Sequence, residues 1–156
     1  MSLLIELTTS PTDDARRLIE ELETELSGDF VAHQRHGYNV DRLFQPNISF
    51  FIARRDSQAV GCGGVAFEDD LAEIKRMYVC PDHRRAGIGG AILARLEQEA
   101  AARHVRRLVL ETGDVLHPAI RMYQAAGYTR CSPFGRYAAM PPLSIARSLF
   151  LEKRLD

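Results

Sequence analysis

Residues 81–92 read Pro-Asp-His-Arg-Arg-Ala-Gly-Ile-Gly-Gly-Ala-Ile, with three glycines inside four positions. They join a β-like run ending at Val79 to the most regular helical pattern in the chain. In that helix Ile88, Ile92, Leu96 and Ala100 define one edge of an apolar face, and Leu93 widens it. Strand, glycine turn and helix in succession make a recurring anion site. The first N–H groups of a helix have no internal partner, the helix dipole is positive there, and glycine lets a phosphate approach the backbone. Arg84 and Arg85 add positive charge. The glycines by themselves fit a tight turn for close helix–sheet packing equally well. The nucleotide versions of the motif fit poorly. No Gly-Lys-Ser/Thr follows, and Ile92 stands where the dinucleotide form needs its third glycine.

The surrounding pattern limits the fold. Leu3, Ile5 and Leu7 alternate with polar neighbours and predict a first strand. Ser10-Pro11 reads as the cap and first position of a helix carrying Leu18, Leu22 and Leu26 and closed by Gly28. Residues 29–47 have weak periodicity and read as a loop or short helix. Three strands follow, Ile48–Arg54, Ala59–Phe67 and Ala72–Val79, with turns at Asp56-Ser57 and near Asp69-Asp70. Gly61, Gly63 and Gly64 mark a bulge or a close backbone approach in the second of them. After the glycine-led helix come a strand at Arg107–Thr112, a helix at Pro118–Ala126 closed by Gly127, a strand starting at Tyr128–Cys131, and a last strand at Ser148–Leu155. Three consecutive strands before the glycine turn argue against a pure βαβα series. The prediction is an α/β (mixed α+β) fold with helices on both faces of a mixed sheet.

The chain has 156 residues, enough for one domain with a sizeable core, so residues 1–156 read as a single domain. A formal charge of −1 gives no reason to expect a nucleic acid or membrane partner. The opening MSLLIELTTSPTDD has neither the basic region nor the cleavage site of a signal peptide, and the apolar runs are too short to span a bilayer. Cys62, Cys80 and Cys131 are odd in number and widely spaced, which suits reduced thiols in a cytoplasmic protein. His33 and His36 lack a carboxylate at a standard accompanying spacing beyond Asp29 and Asp41, so no metal site is expected.

Residues 72–128 resemble the GCN5-related N-acetyltransferases (GNAT). The family's cofactor signature, Arg/Gln-x-x-Gly-x-Gly/Ala, is matched by Arg84-Arg85-Ala86-Gly87-Ile88-Gly89. A second feature, Ala-Ile-x-x-Tyr-x-x-x-Gly-Tyr/Phe, is matched by Ala119, Ile120, Tyr123, Gly127 and Tyr128. The resemblance implies a three-layer α/β/α fold around a mostly antiparallel, splayed sheet of about six to seven strands. It implies acetyl transfer from acetyl-CoA to the primary amine of a small molecule, such as an amino acid, by direct attack in a ternary complex. A non-catalytic acetyl-CoA sensor and a protein-lysine acetyltransferase are the alternatives. A homodimer is the assembly the family leads one to expect.

The same resemblance assigns residues. The CoA pyrophosphate falls to the backbone of Arg85, Ala86, Gly87, Ile88, Gly89 and Gly90, with Arg84 at the entrance. The pantetheine arm falls to Met77, Tyr78 and Val79, on a strand that splays from Leu108–Thr112. Chemistry adds further demands: an amine attacks only when unprotonated, so a base or a water chain ending on a carboxylate must take its proton. The oxyanion needs an N–H donor, and the leaving thiolate benefits from an acid. Tyr123 matches the family's tyrosine near the sulfur. Glu73 is the first candidate base and Glu111 the second. Acceptor contacts are expected from Tyr38, Arg42, Arg136 and Tyr137, whose arginines would suit a carboxylate. Two departures stand out: Leu116 occupies a position where many members carry Asn, and Arg85 one that is often glycine.

Overall fold

In the computed structural model, which describes residues 2–156, the chain opens with β1 (Leu3–Thr8) and α1 (Asp13–Ser27). The cap of α1 is Thr12, two residues beyond the expected Ser10. Its hydroxyl accepts from the Ala15 N–H at 3.2 Å, and Asp13 and Asp14 face the positive helix end. Ala15, Leu18, Ile19 and Leu22 form the buried face. Residues 29–47 hold only two short 3₁₀ turns, Ala32–Gln34 and Asp41–Phe44.

β2 (Ile48–Arg55), β3 (Gln58–Glu68) and β4 (Leu71–Val79) form the predicted meander. The β2–β3 turn puts Asp56 and Ser57 at φ 50° and 74°, the mirror-image geometry that suits a two-residue hairpin. After the glycine turn come α2 (Ile88–Ala102), β5 (Arg107–Gly113), α3 (His117–Ala125), β6 (Thr129–Arg130), α4 (Pro142–Ile145) and β7 (Ser148–Arg154). The strand expected at Tyr128–Cys131 shrinks to the two residues of β6. Tyr128 instead packs in the core, its hydroxyl donating to Glu97 at 2.8 Å.

The seven strands run in the order β1-β2-β3-β4-β5-β7-β6, and only the β4–β5 pair is parallel. Helices α2 and α3 cover one face through a cluster containing Ile92, Leu96, Leu108, Tyr123 and Leu151. Helix α1 and the 29–47 segment cover the other, against Phe50, Ile52, Cys62 and Tyr78. On that same side, residues 131–146 cover β5 and β7 with Phe134 and Tyr137 against Val109 and Phe150. Both faces of β7 are therefore buried at Phe150 and Leu151, although its sequence alternates. The mixed, three-layer, mostly antiparallel arrangement expected from the sequence is the one found.

The anticipated irregularity lies in β4, opposite Gly63. Cys62 pairs with Tyr78 and Gly64 with Lys75, so Arg76 and Met77 together oppose Gly63. Arg76 takes φ 58° to make this bulge. Side chains alternate along a regular strand, but here Lys75 and Arg76 both turn toward the α1 side, where their partners lie. The parallel pairing of β4 with β5 ends at Ile74–Leu110, just before the bulge, while β4 continues to Val79 and β5 to Gly113. The two strands part there.

Candidate active site

The parting of β4 and β5 opens a cavity of about 130 Å³, lined from both faces of the sheet. Leu22, Leu26 and Phe30 line it from the α1 side, and Leu116, Ala119 and Tyr123 from the α3 side. Its polar lining comes from Gln34, Arg35, His36, Lys75, Arg76, Glu111 and Thr112. Among the residues expected for the site, Tyr123, Met77 and Glu111 reach this cavity.

Next to it lies the glycine turn. Gly87 caps α2 at φ 80°, a left-handed conformation that costs other residues about 1–2 kcal/mol. The first helical bond returning to the turn is Ala91 N–H to Gly87 C=O, at 3.0 Å. None of the six backbone N–H groups from Arg85 to Gly90 finds an acceptor among the described residues. A Cβ on Gly90 would meet nothing within 4 Å, so the backbone is open to approach. Six unpaired amides at a helix N-terminus fit a pyrophosphate. Arg85 is exposed with φ 63°. The Arg84 guanidinium is turned away from the turn, donating to Val79 C=O at 2.8 Å and pairing with Glu25 at 2.7 Å. Tyr78 and Val79 pair with β3 on one edge, and the other edge of Met77–Val79 has no partner in β5.

Tyr123 is 5% exposed, and its hydroxyl has no hydrogen bond among the described residues. Burial raises its pKa, with the charge of Glu111 adding to the effect, so it stays protonated and able to donate. Glu111 is half-buried, and burial raises its pKa as well. The Ser148 hydroxyl, donating to it at 2.6 Å, pulls in the opposite direction. A carboxyl group raised in this way is a better proton acceptor than an ordinary carboxylate.

Glu73 sits differently. It is 7% exposed, outside the cavity lining, and both oxygens are engaged. Oε1 accepts from Arg136 at 3.1 Å. Oε2 accepts from Tyr137 Oη at 2.7 Å and Lys75 Nζ at 3.3 Å. Lys75 Nζ also donates to Tyr137 Oη at 3.1 Å and to His36 C=O at 2.9 Å. Burial lowers the Lys75 pKa to about 8 against the attraction of Glu73.

Tyr38, Arg42, Arg136 and Tyr137 do come together, but around Glu73 rather than in the cavity. Arg42 lies 3.7 Å above the Tyr38 ring, and Arg136 donates to Tyr38 at 3.3 Å and Tyr137 at 2.8 Å. Tyr38 and Tyr137 are 3% and 0% exposed. Sequence reasoning missed Arg35, Arg76 and Ser148 beside the cavity; the one available signal was the adjacent pair Lys75-Arg76, which breaks the polar–apolar alternation of its strand. His33 is exposed, His36 meets Ser144 C=O at 2.7 Å, and no metal-ligand cluster occurs among the described residues. No helix is long and apolar enough to cross a membrane.

Comparison with known proteins agrees with this geometry. The family model for the acetyltransferase (GNAT) family matches residues 15–128. The chain is 39% identical over 149 residues to a protein named IAA acetyltransferase from Azospirillum brasilense, covering 94% of each. A crystal structure of a putative acyl-CoA N-acyltransferase from Klebsiella pneumoniae superposes with TM-score 0.78 at 30% identity, covering 99% of this chain and 98% of that one. The fold is shared with an N-acetyltransferase of Thermoplasma acidophilum solved with coenzyme A, at TM-score 0.73 and 16% identity, covering 99% of this chain and 100% of that one. The six free amides at the turn, the parted strands and these matches lead to one assignment: the chain belongs to the GNAT family and is an acyl-CoA-dependent N-acetyltransferase.

Proposed function

We propose that this protein acetylates the primary amine of a small molecule, of the amino-acid class, within a ternary complex. Acetyl-CoA supplies the acetyl thioester. The amides of Arg85–Gly90 hold its pyrophosphate, and the free edge of Met77–Val79 holds the arm that leads into the cavity. Glu111 takes the proton from the incoming ammonium, directly or through water. The Tyr123 hydroxyl donates to the departing sulfur; with its pKa raised it is a hydrogen-bond donor rather than a strong acid.

The observation that carries this reading is the cavity itself, where a carboxyl group of raised pKa on β5 and an unpartnered tyrosine hydroxyl on α3 share one lining beside the amide run. Glu111 is preferred to Glu73 as proton acceptor because Glu73 already accepts from three donors and lies outside that lining. The name carried by the Azospirillum relative supports a small-molecule acceptor. The test is CoA release over a panel of amines and amino acids, beside thermal stabilisation by acetyl-CoA, ATP and NAD. Stabilisation by acetyl-CoA alone and turnover of at least one small amine are expected. No shift at saturating acetyl-CoA would overturn the reading.

A further inference from the structure

We propose that the acceptor carries a carboxylate and that Arg35 and Arg76 bind it inside the cavity. The inference rests on the acetyl-transfer reading and names the acceptor's second recognition group.

Both arginines line the cavity. Each is held by one carboxylate of α1: Glu23 Oε2 accepts from Arg35 Nη1 at 2.8 Å, and Oε1 accepts from Arg76 Nη2. The Nε of each is buried and has no hydrogen-bond partner among the described residues. A buried guanidinium N–H without an acceptor is costly, and an anion seated between these two cavity-lining side chains would supply the missing acceptor once they adjust to it. The Arg76 side chain is 3% exposed, so water offers it little. Its position is built in. The bulge at φ 58° turns it toward α1, and a Cβ at residue 37 would meet its Nη1 at 1.8 Å, so any larger residue there would displace the guanidinium.

Charge points the same way. Around the cavity Arg35, Lys75, Arg76 and Arg136 face Glu23, Glu73 and Glu111, leaving one surplus positive charge. A carboxylate neutralises that surplus and leaves the amine of the same molecule free to reach Glu111. The guanidinium fork suits a planar carboxylate. Arg42 and Arg136 do not serve this purpose, being stacked on Tyr38 and bound to Glu73 outside the cavity lining. Apolar walls from Leu22, Leu26 and Phe30 accommodate the acceptor's hydrocarbon part.

The experiment compares matched acceptors: glycine with methylamine, leucine with isoamylamine, and phenylalanine with phenethylamine. We expect kcat/KM to favour the amino acid of the best pair at least about tenfold. Arg35→Gln should cut that preference at least about fivefold, mainly through KM, and Arg35→Lys should restore part of it. Arg35 is the residue of choice because its side chain, 24% exposed, can be changed with less risk to folding than Arg76. Equal use of both members of every pair, a preference for the neutral amine, or an equal loss on both in Arg35→Gln would overturn the carboxylate site and leave acetyl transfer standing. Absence of turnover with every amine would count against the function instead. The anion site is then judged by thermal shift with CoA plus N-acetylleucine or N-isoamylacetamide. A larger shift with N-acetylleucine that Arg35→Gln abolishes supports it, and equal shifts overturn it.

Discussion

Glu73→Gln separates a structural carboxylate from a catalytic one. In the wild type the Glu73 and Lys75 side chains are 9% and 5% exposed, so their pair is almost wholly out of water. The amide keeps the shape but must present an NH₂ either to Arg136 or to the Lys75–Tyr137 pair, setting donor against donor. Breaking a buried ion pair by removing one partner costs about 3–5 kcal/mol. Arg136 is 32% exposed and recovers solvation, and Lys75 keeps His36 C=O and Tyr137 Oη, which points to the lower end, about 3 kcal/mol. For a chain of this length that is a fall in Tm of roughly 6–12 °C. The pH dependence has a definite sign. The folded pKa of Lys75, about 8, lies below its ordinary value of 10.5, so the folded state releases this proton first and stability rises with pH between the two. Losing Glu73 lowers that pKa further. The gap between variant and wild type therefore narrows as pH rises toward 8 and stays constant above it. Urea and thermal unfolding at several pH values, with CoA-release kinetics well below Tm, decide the matter. A variant within about 1 kcal/mol of wild type refutes the buried-pair argument. A loss of turnover beyond about a hundredfold with stability intact makes Glu73 the proton acceptor.

Glu111→Gln should lower kcat by about 10²–10⁴, the usual worth of a positioned base, and abolish the acidic limb of the kcat/KM–pH profile. In the wild type that limb lies above the ordinary carboxylate range, because burial raises the Glu111 pKa and the base must be deprotonated to act; an unchanged limb in the variant refutes its role. Tyr123→Phe should reduce kcat about tenfold or more while the KM for acetyl-CoA stays within about twofold, and equal kcat would remove the hydroxyl from the reaction. Gly87→Ala meets no atom within 4 Å but must hold φ 80°, so a stability loss of about 1–2 kcal/mol and weaker thermal stabilisation by acetyl-CoA are expected. Undiminished stabilisation would show that the turn geometry is not needed for the donor.

The geometry of the glycine turn was legible because it is local. A phosphate-binding turn is made by consecutive backbone groups, so Arg84 to Gly90 carry their meaning in order and spacing, and the structure puts six free amides there. The strands and long helices were legible for the same reason, since their periodicity reflects one buried face each. One local signal overrode another at Thr12, where a side-chain hydrogen bond three residues on and not a proline sets the helix start, and tertiary pairing decided at β6, which pairs with β7 over only two residues. The same limit explains the arginines. Arg42 and Arg136 sit on segments 94 positions apart in sequence, and nothing in either segment reveals that both pack around Tyr38.

The bulge in β4 is the feature on which the proposed acceptor site depends. Glu73, Lys75 and Arg76 fall within four residues of one strand, and strict alternation would send Arg76 into the apolar layer beneath α2. One extra residue opposite Gly63 keeps it on the side of Lys75, at the cost of a left-handed backbone at a non-glycine position. The same extra residue follows the point where β4 stops pairing with β5, so a single irregularity accompanies both the opening between the strands and the cation beside it. Under the proposed function, donor and acceptor are recognised by different means: the donor by main-chain amides that any sequence with the right glycines can offer, the acceptor by side chains from α1, β4, β5 and the 29–47 segment that meet only after folding. Changing the acceptor therefore requires changing side chains such as Arg35, and leaves the turn at 84–90 as it is.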